Sequence, residues 1–86
     1  MTPRPAPRLK QEQVPIFREV LAVVRKADDL EVHTCRAMLA GVTVLDIRDF
    51  IPSTGAYGRG TTLPWNTETL KLMRAAMLEA SKAAAS

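Results

Sequence analysis

The stretch Val42-Thr43-Val44-Leu45-Asp46-Ile47-Arg48-Asp49-Phe50-Ile51 decides how the chain is read. Its first six residues are rich in β-branched side chains, which suit a pleated strand. The same residues also suit a helix. Thr43 can cap free backbone N–H groups, Asp46 lies in the first turn, where the helix dipole favours negative charge, and Leu45, Ile47, Phe50 and Ile51 face inward. A strand needs partners, and none is apparent on either side. The helix is therefore the preferred reading, with a short strand over 42–47 as the alternative.

Upstream, Pro15 suits the first position of a helix. Ile16, Phe17, Val20, Leu21, Val24 and Ala27 then recur at helical spacing, with Arg18, Glu19, Arg25 and Lys26 on the other side. Asp28-Asp29 ends that segment and can cap the next. A second helix fits Leu30 to Ala40, with Val32, Cys35, Met38 and Leu39 inward and Gly41 as its stop. Downstream, Pro52 ends the deciding stretch. Residues 53–64 read as a long loop in which Gly55, Gly58 and Gly60 permit positive φ. The alternative is a small β-hairpin pairing Ala56-Tyr57 with Thr61-Thr62-Leu63 across Gly58-Arg59-Gly60. The last helix starts at Asn66 as N-cap, with Glu68 in its first turn. Trp65 and Leu70 have hydrophobic-staple spacing. Leu70, Leu72, Met73, Ala76 and Met77 form its apolar face, opposite Thr67, Glu68, Lys71, Arg74 and Lys82. The expected fold is thus all-α: a small three- to four-helix domain of helix-turn-helix type over residues 14–82. A flexible, basic, Pro-rich arm (1–13) precedes it, and a frayed end (83–86) follows.

Eighty-six residues allow one domain with a modest core. No apolar run is long enough to span a bilayer, and the N-terminal residues have no apolar core of a signal peptide. One cysteine excludes an internal disulfide framework and a multi-cysteine zinc site. A cytoplasmic setting is expected. The net charge of +3 resides in Arg4, Arg8 and Lys10, because residues 11–86 carry nine basic and nine acidic side chains. Such an arm can lie along phosphates.

No catalytic constellation is visible, and no enzyme activity, metal or cofactor is expected. His33 and Cys35, at i and i+2 of a helix, would point apart, leaving His33 on the surface and Cys35 in the core. Asp46 and Asp49 read as solvated helix charges. The glycines lack the Gly-Lys-Ser/Thr sequence of a phosphate-binding loop.

The stretch Ile51-Pro52-Ser53-Thr54, then Gly58-Arg59-Gly60, Trp65 and Thr69-Leu70-Lys71-Leu72-Met73 resembles the helix-turn-helix segment of large serine recombinases. The resemblance covers residues 44–74. It implies a DNA-binding module without the recombinase catalytic domain, in which the helix starting at Asn66 faces DNA. Asn66, Thr67, Lys71 and Arg74 would then present polar and basic groups to the major groove, with Arg59 on backbone phosphate. The expected function is that of a small DNA-binding regulator or accessory factor acting as a homodimer. The competing expectation is a protein–protein interaction module, a small inhibitor or adaptor, with no nucleic-acid role. Its support is the neutral body and the surplus of apolar side chains, Leu63, Trp65 and Leu78 among them.

Overall fold

The computed structural model of the protein describes residues 14–85. Its architecture is a four-stranded antiparallel sheet followed by one helix, and this overturns the all-α, helix-turn-helix expectation. The elements are β1 (Ile16–Ala27), β2 (Leu30–Leu39), β3 (Val42–Ile51), β4 (Ala56–Pro64) and α1 (Thr67–Ala85). The strands follow one another as a simple meander, β1-β2-β3-β4. The two segments expected as helices before residue 42 are β1 and β2, and the deciding stretch is a full-length strand, longer than the alternative over 42–47. The expected loop over 53–64 is a four-residue turn followed by a strand. Ala56-Tyr57 and Thr61–Leu63 belong to that one strand and do not pair with each other.

Local chemistry accounts for the turns. Ala40 and Gly41 both have positive φ (52° and 81°), the geometry of a type I′ hairpin turn that matches strand twist. Gly41 thus ends a strand, where a helix stop was expected. Asp29 adopts φ 56°, a conformation that Asp tolerates better than most residues. The third turn is held by Thr54 and Gly55, whose backbone N–H groups donate to the Ile51 carbonyl at 3.1 and 2.8 Å. Asp29 also ties the first turn to the third, accepting from the Ser53 backbone N–H at 2.8 Å and from the Ser53 hydroxyl at 2.5 Å.

The helical spacing of β1 has a physical origin. Its register against β2 slips at three places, between Ile16 and Glu19, Val20 and Ala22, and Arg25 and Ala27. Each bulge inserts residues and breaks the period of two. Phe17, at φ 53°, sits in the first of them. The apolar residues of β1 are consequently spread over both faces, and Ile16, Phe17, Val20, Leu21, Val23 and Val24 are all exposed.

Register fixes the two faces of the sheet. Ala37–Val44–Pro64, Cys35–Asp46–Thr62, His33–Arg48–Gly60 and Glu31–Phe50–Tyr57 lie across one face. Arg36–Leu45–Leu63 and Thr34–Ile47–Thr61 lie across the other. The first is called the network face and the second the open face. Among the described residues, the buried apolar side chains of the sheet are Cys35, Ala37, Val44 and Leu45, and Pro15, just before β1, is buried as well. Helix α1 has the expected cap, since the Asn66 side-chain oxygen accepts from the Thr69 backbone N–H at 2.8 Å. None of its residues is buried among the described residues. No helix of the described residues is long and apolar enough to cross a membrane.

Candidate functional site

Polar groups, not hydrocarbon, occupy the centre of the network face. On a strand, residues i and i+2 point the same way, so Asp46-x-Arg48 places a carboxylate and a guanidinium side by side. Arg48 donates to Asp46 through Nε (3.1 and 2.9 Å) and Nη2 (2.8 Å), and through Nη1 to the Gly58 carbonyl at 3.0 Å. From β1, Arg18 donates through Nη1 to Asp46 Oδ2, the oxygen it shares with Arg48 Nε, at 2.7 Å and through Nη2 to Cys35 Sγ at 3.1 Å. Asp46 and Cys35 are fully buried, and Arg48 is 9% exposed. One carboxylate thus serves two guanidiniums. Asp46 is not the solvated helix charge expected from the sequence.

Glycine makes the geometry possible. A Cβ on Gly60 would lie 2.0 Å from the Arg48 Cβ and 2.4 Å from the Ile47 carbonyl oxygen. The absent side chain is what lets Arg48 lie across β4. Burial lowers the proton affinity of Arg18, but the Asp46 hydrogen bond, Tyr57 and the negative charge of Asp46 outweigh it and hold the guanidinium above its ordinary value. Arg18 is a fixed cation. Its Cζ lies 3.8 Å from the Tyr57 ring centroid, in cation–π geometry.

At one end of this face His33 stacks on Phe50 with centroids 4.3 Å apart and meets the Tyr57 ring edge-on. Its ring nitrogens are bonded to Glu31 (2.9 Å) and to the Tyr57 hydroxyl (3.1 Å). His33 is therefore a buried, satisfied side chain, and the expectation of a surface residue is corrected. Because β2 is a strand, His33 and Cys35 share a face and do not point apart, but each is bonded to different groups. Among the described residues no cluster of His, Cys, Asp or Glu is placed to hold a metal ion.

The open face carries different chemistry. At one end the Arg36 Cζ lies 5.6 Å from the ring centroid of Trp65, with both side chains accessible. At the other end Lys26, Val32, Ile47, Asp49, Arg59 and Thr61 surround a shallow cup of about 390 Å³. Lys26 is bonded to Asp49 at 3.0 Å, while Arg59 makes no ion pair with the described residues.

The residues expected to contact DNA are not brought together. Arg59 belongs to the sheet cup. Asn66 is occupied as the helix cap, and Thr67 opens α1. Lys71 and Arg74 are exposed on α1, three residues apart and so on one side of the helix. With strands in place of the expected preceding helix, they do not form a helix-turn-helix recognition surface. Arg4, Arg8 and Lys10 lie outside the described residues.

Sequence reasoning missed Arg18, Arg48, Tyr57, Arg36 and Lys26 as site builders. The signal for one pair was present: Asp46 and Arg48 alternate with Leu45 and Ile47 inside a β-branched run. The chain matches no family model, no curated protein and no solved structure.

Proposed function

We propose that the protein is a nucleic-acid-binding module that takes single-stranded DNA on the open face of its sheet. The observation that carries this reading is the shared face of the accessible Arg36–Trp65 pair and the cup flanked by Lys26 and Arg59. Non-specific single-strand binding combines cations that follow the backbone with aromatic rings on which bases stack. Trp65 offers the ring, and Arg36, Lys26 and Arg59 offer the cations. Val32 and Ile47 give the cup an apolar floor suited to the flat side of a base. Along β2 the distance from Val32 to Arg36 is about 13 Å at strand spacing, so cup and ring are separate contacts for one extended strand.

Single strands are favoured over duplex on physical grounds. A duplex keeps its base faces inside its own stack, where Trp65 could not reach them, and it is read through a groove by an inserted helix or ribbon. The N-terminus of α1 is a poor candidate for that insertion: Asn66 occupies the backbone N–H of Thr69, and Glu68 places negative charge in the first turn.

The test is fluorescence anisotropy of a labelled single-stranded oligonucleotide and of its duplex at several salt concentrations, with emission of the sole tryptophan followed in parallel. Tighter binding of the single strand, quenching of Trp65 and a log–log salt slope of about −2, from roughly three phosphate contacts, are expected. Equal or tighter duplex binding with unchanged Trp65 emission would overturn the proposal. Absence of any binding at low salt would leave the protein–protein interaction module as the reading, favoured by the exposed apolar residues of α1.

A further inference from the structure

We infer that the working unit contains a second copy of this chain, docked through the apolar face of α1. This inference does not rest on the nucleic-acid reading. It starts from what one chain leaves uncovered. A sheet is stable when its apolar surface packs against another layer, and this sheet has no second layer of its own among the described residues. The only strong element–element packing joins neighbouring strands, and α1 makes no comparable contact with any of them. The radius of gyration is 15.0 Å, against about 12 Å for a compact chain of this length.

The helix has the complementary deficit. Its 19 residues span about 28 Å. At 100° per residue, Leu70, Leu72, Met73, Ala76, Met77 and Ala80 fall on one continuous side. Glu68, Lys71, Arg74 and Lys82 fall on the other, where they stay in water. An amphipathic helix with no buried residue is a packing element without its partner.

Two considerations select a second copy as the occupant. First, one chain carries both halves of the missing packing, a sheet lacking a layer and a helix lacking a surface, and does not join them. A two-fold arrangement supplies each half to the other at equal stoichiometry and closes on itself. Second, the area is close to what a stable dimer needs. The exposed large apolar residues of β1 and α1, together with Val42, are each about half or more accessible. Counting one face of the sheet and the apolar side of α1, without Leu78 on the opposite side, they present roughly 700 Å² per chain, compared with the roughly 800 Å² per partner of a stable interface. The small Ala76 and Ala80 permit close approach of the docked surfaces.

The experiment is sedimentation velocity on the full chain from about 1 to about 100 µM, with thermal melts at both ends of that range. The comparison variants are Met73→Glu with Met77→Glu, and Lys71→Glu on the opposite side. Twice the chain mass, and a melting temperature that rises with concentration, are expected for the wild type and for Lys71→Glu. The double variant is expected to dissociate at a concentration roughly 100-fold higher or more. A wild type with the mass of one chain throughout, and a concentration-independent melt, would overturn the inference. So would a double variant that dimerises as well as the wild type. If the double variant does not fold, the concentration dependence of the wild-type melt still decides. A dimer that fails to bind DNA removes only the functional proposal, and a monomer that binds it removes only this one.

Discussion

Substituting Asp46 by Asn tests the centre of the network face. The change keeps the shape of the side chain and removes its charge. Asp46 accepts four hydrogen bonds, one from Arg18 and three from Arg48. Without the carboxylate, two guanidiniums lie close together with no counter-charge in a site whose carboxylate is wholly shielded from water. The amide nitrogen of Asn also turns one acceptor into a third donor. Breaking a buried ion pair by removing one partner costs about 3–5 kcal/mol. A domain of this size has a total stability on the order of 5–10 kcal/mol, so the variant is expected to lose about a third of its stability or more. At 4–8 °C per kcal/mol, its melting temperature should fall by about 12 °C or more. The assay is urea unfolding followed by Trp65 emission and far-UV circular dichroism. Asp49→Asn is the internal control: its ion pair with Lys26 is accessible to water (27% and 51% exposed) and should contribute less than about 1 kcal/mol. If Asp46→Asn lies within about 1 kcal/mol of the wild type, or matches Asp49→Asn, the network does not hold the sheet in the way described.

Further outcomes follow from named contacts. Gly60→Ala forces a Cβ to within 2.0 Å of the Arg48 Cβ and should cost about 2–3 kcal/mol or more, whereas Gly58→Ala, with its nearest contact at 3.6 Å, should be tolerated; paired thermal melts check the contrast. Asn66→Ala removes the cap on α1 and should cost about 1 kcal/mol, read as fraying in the helical dichroism signal. The Cys35 thiol is fully buried, so a thiol reagent should label it only as fast as the sheet opens; labelling at the rate of a free thiol would refute that burial. Arg36→Ala and Arg59→Ala should each weaken single-strand DNA binding and reduce the magnitude of the salt slope by about 0.7, measured by anisotropy, while Arg74→Ala should leave both unchanged.

The sequence made the end of the fold legible and concealed its beginning. Asn66 and Glu68 mark the start of α1 by local rules, and local rules suffice for a cap. The sheet is hidden for two reasons. In β1, bulges spread the apolar residues at a spacing that imitates a helix. In β2 and β3 the network face buries His33, Cys35, Asp46 and Arg48, so the shielded side of each strand does not read as apolar and the alternation that announces a strand is blurred. A signal did exist in the turns. Asp28-Asp29, Ala40-Gly41 and the Pro52–Gly55 segment punctuate the chain at near-regular intervals, the rhythm of successive hairpins. The candidate site was less legible still. Arg59 was identified, but Arg36 and Lys26 acquire meaning only once strand register places them on the same face as Trp65 and Arg59.

The strictly sequential strand order has a consequence for how the chain reaches its fold. Every strand pairs only with its neighbours in the sequence, across connections of two, two and four residues. Closing such short loops costs little chain entropy, and contacts between near neighbours favour rapid folding. Any hairpin can form first and template the next, so the sheet should assemble quickly for a β structure. If two chains associate as inferred above, their meeting is the slow, concentration-dependent step, and a stopped-flow trace should separate the two phases.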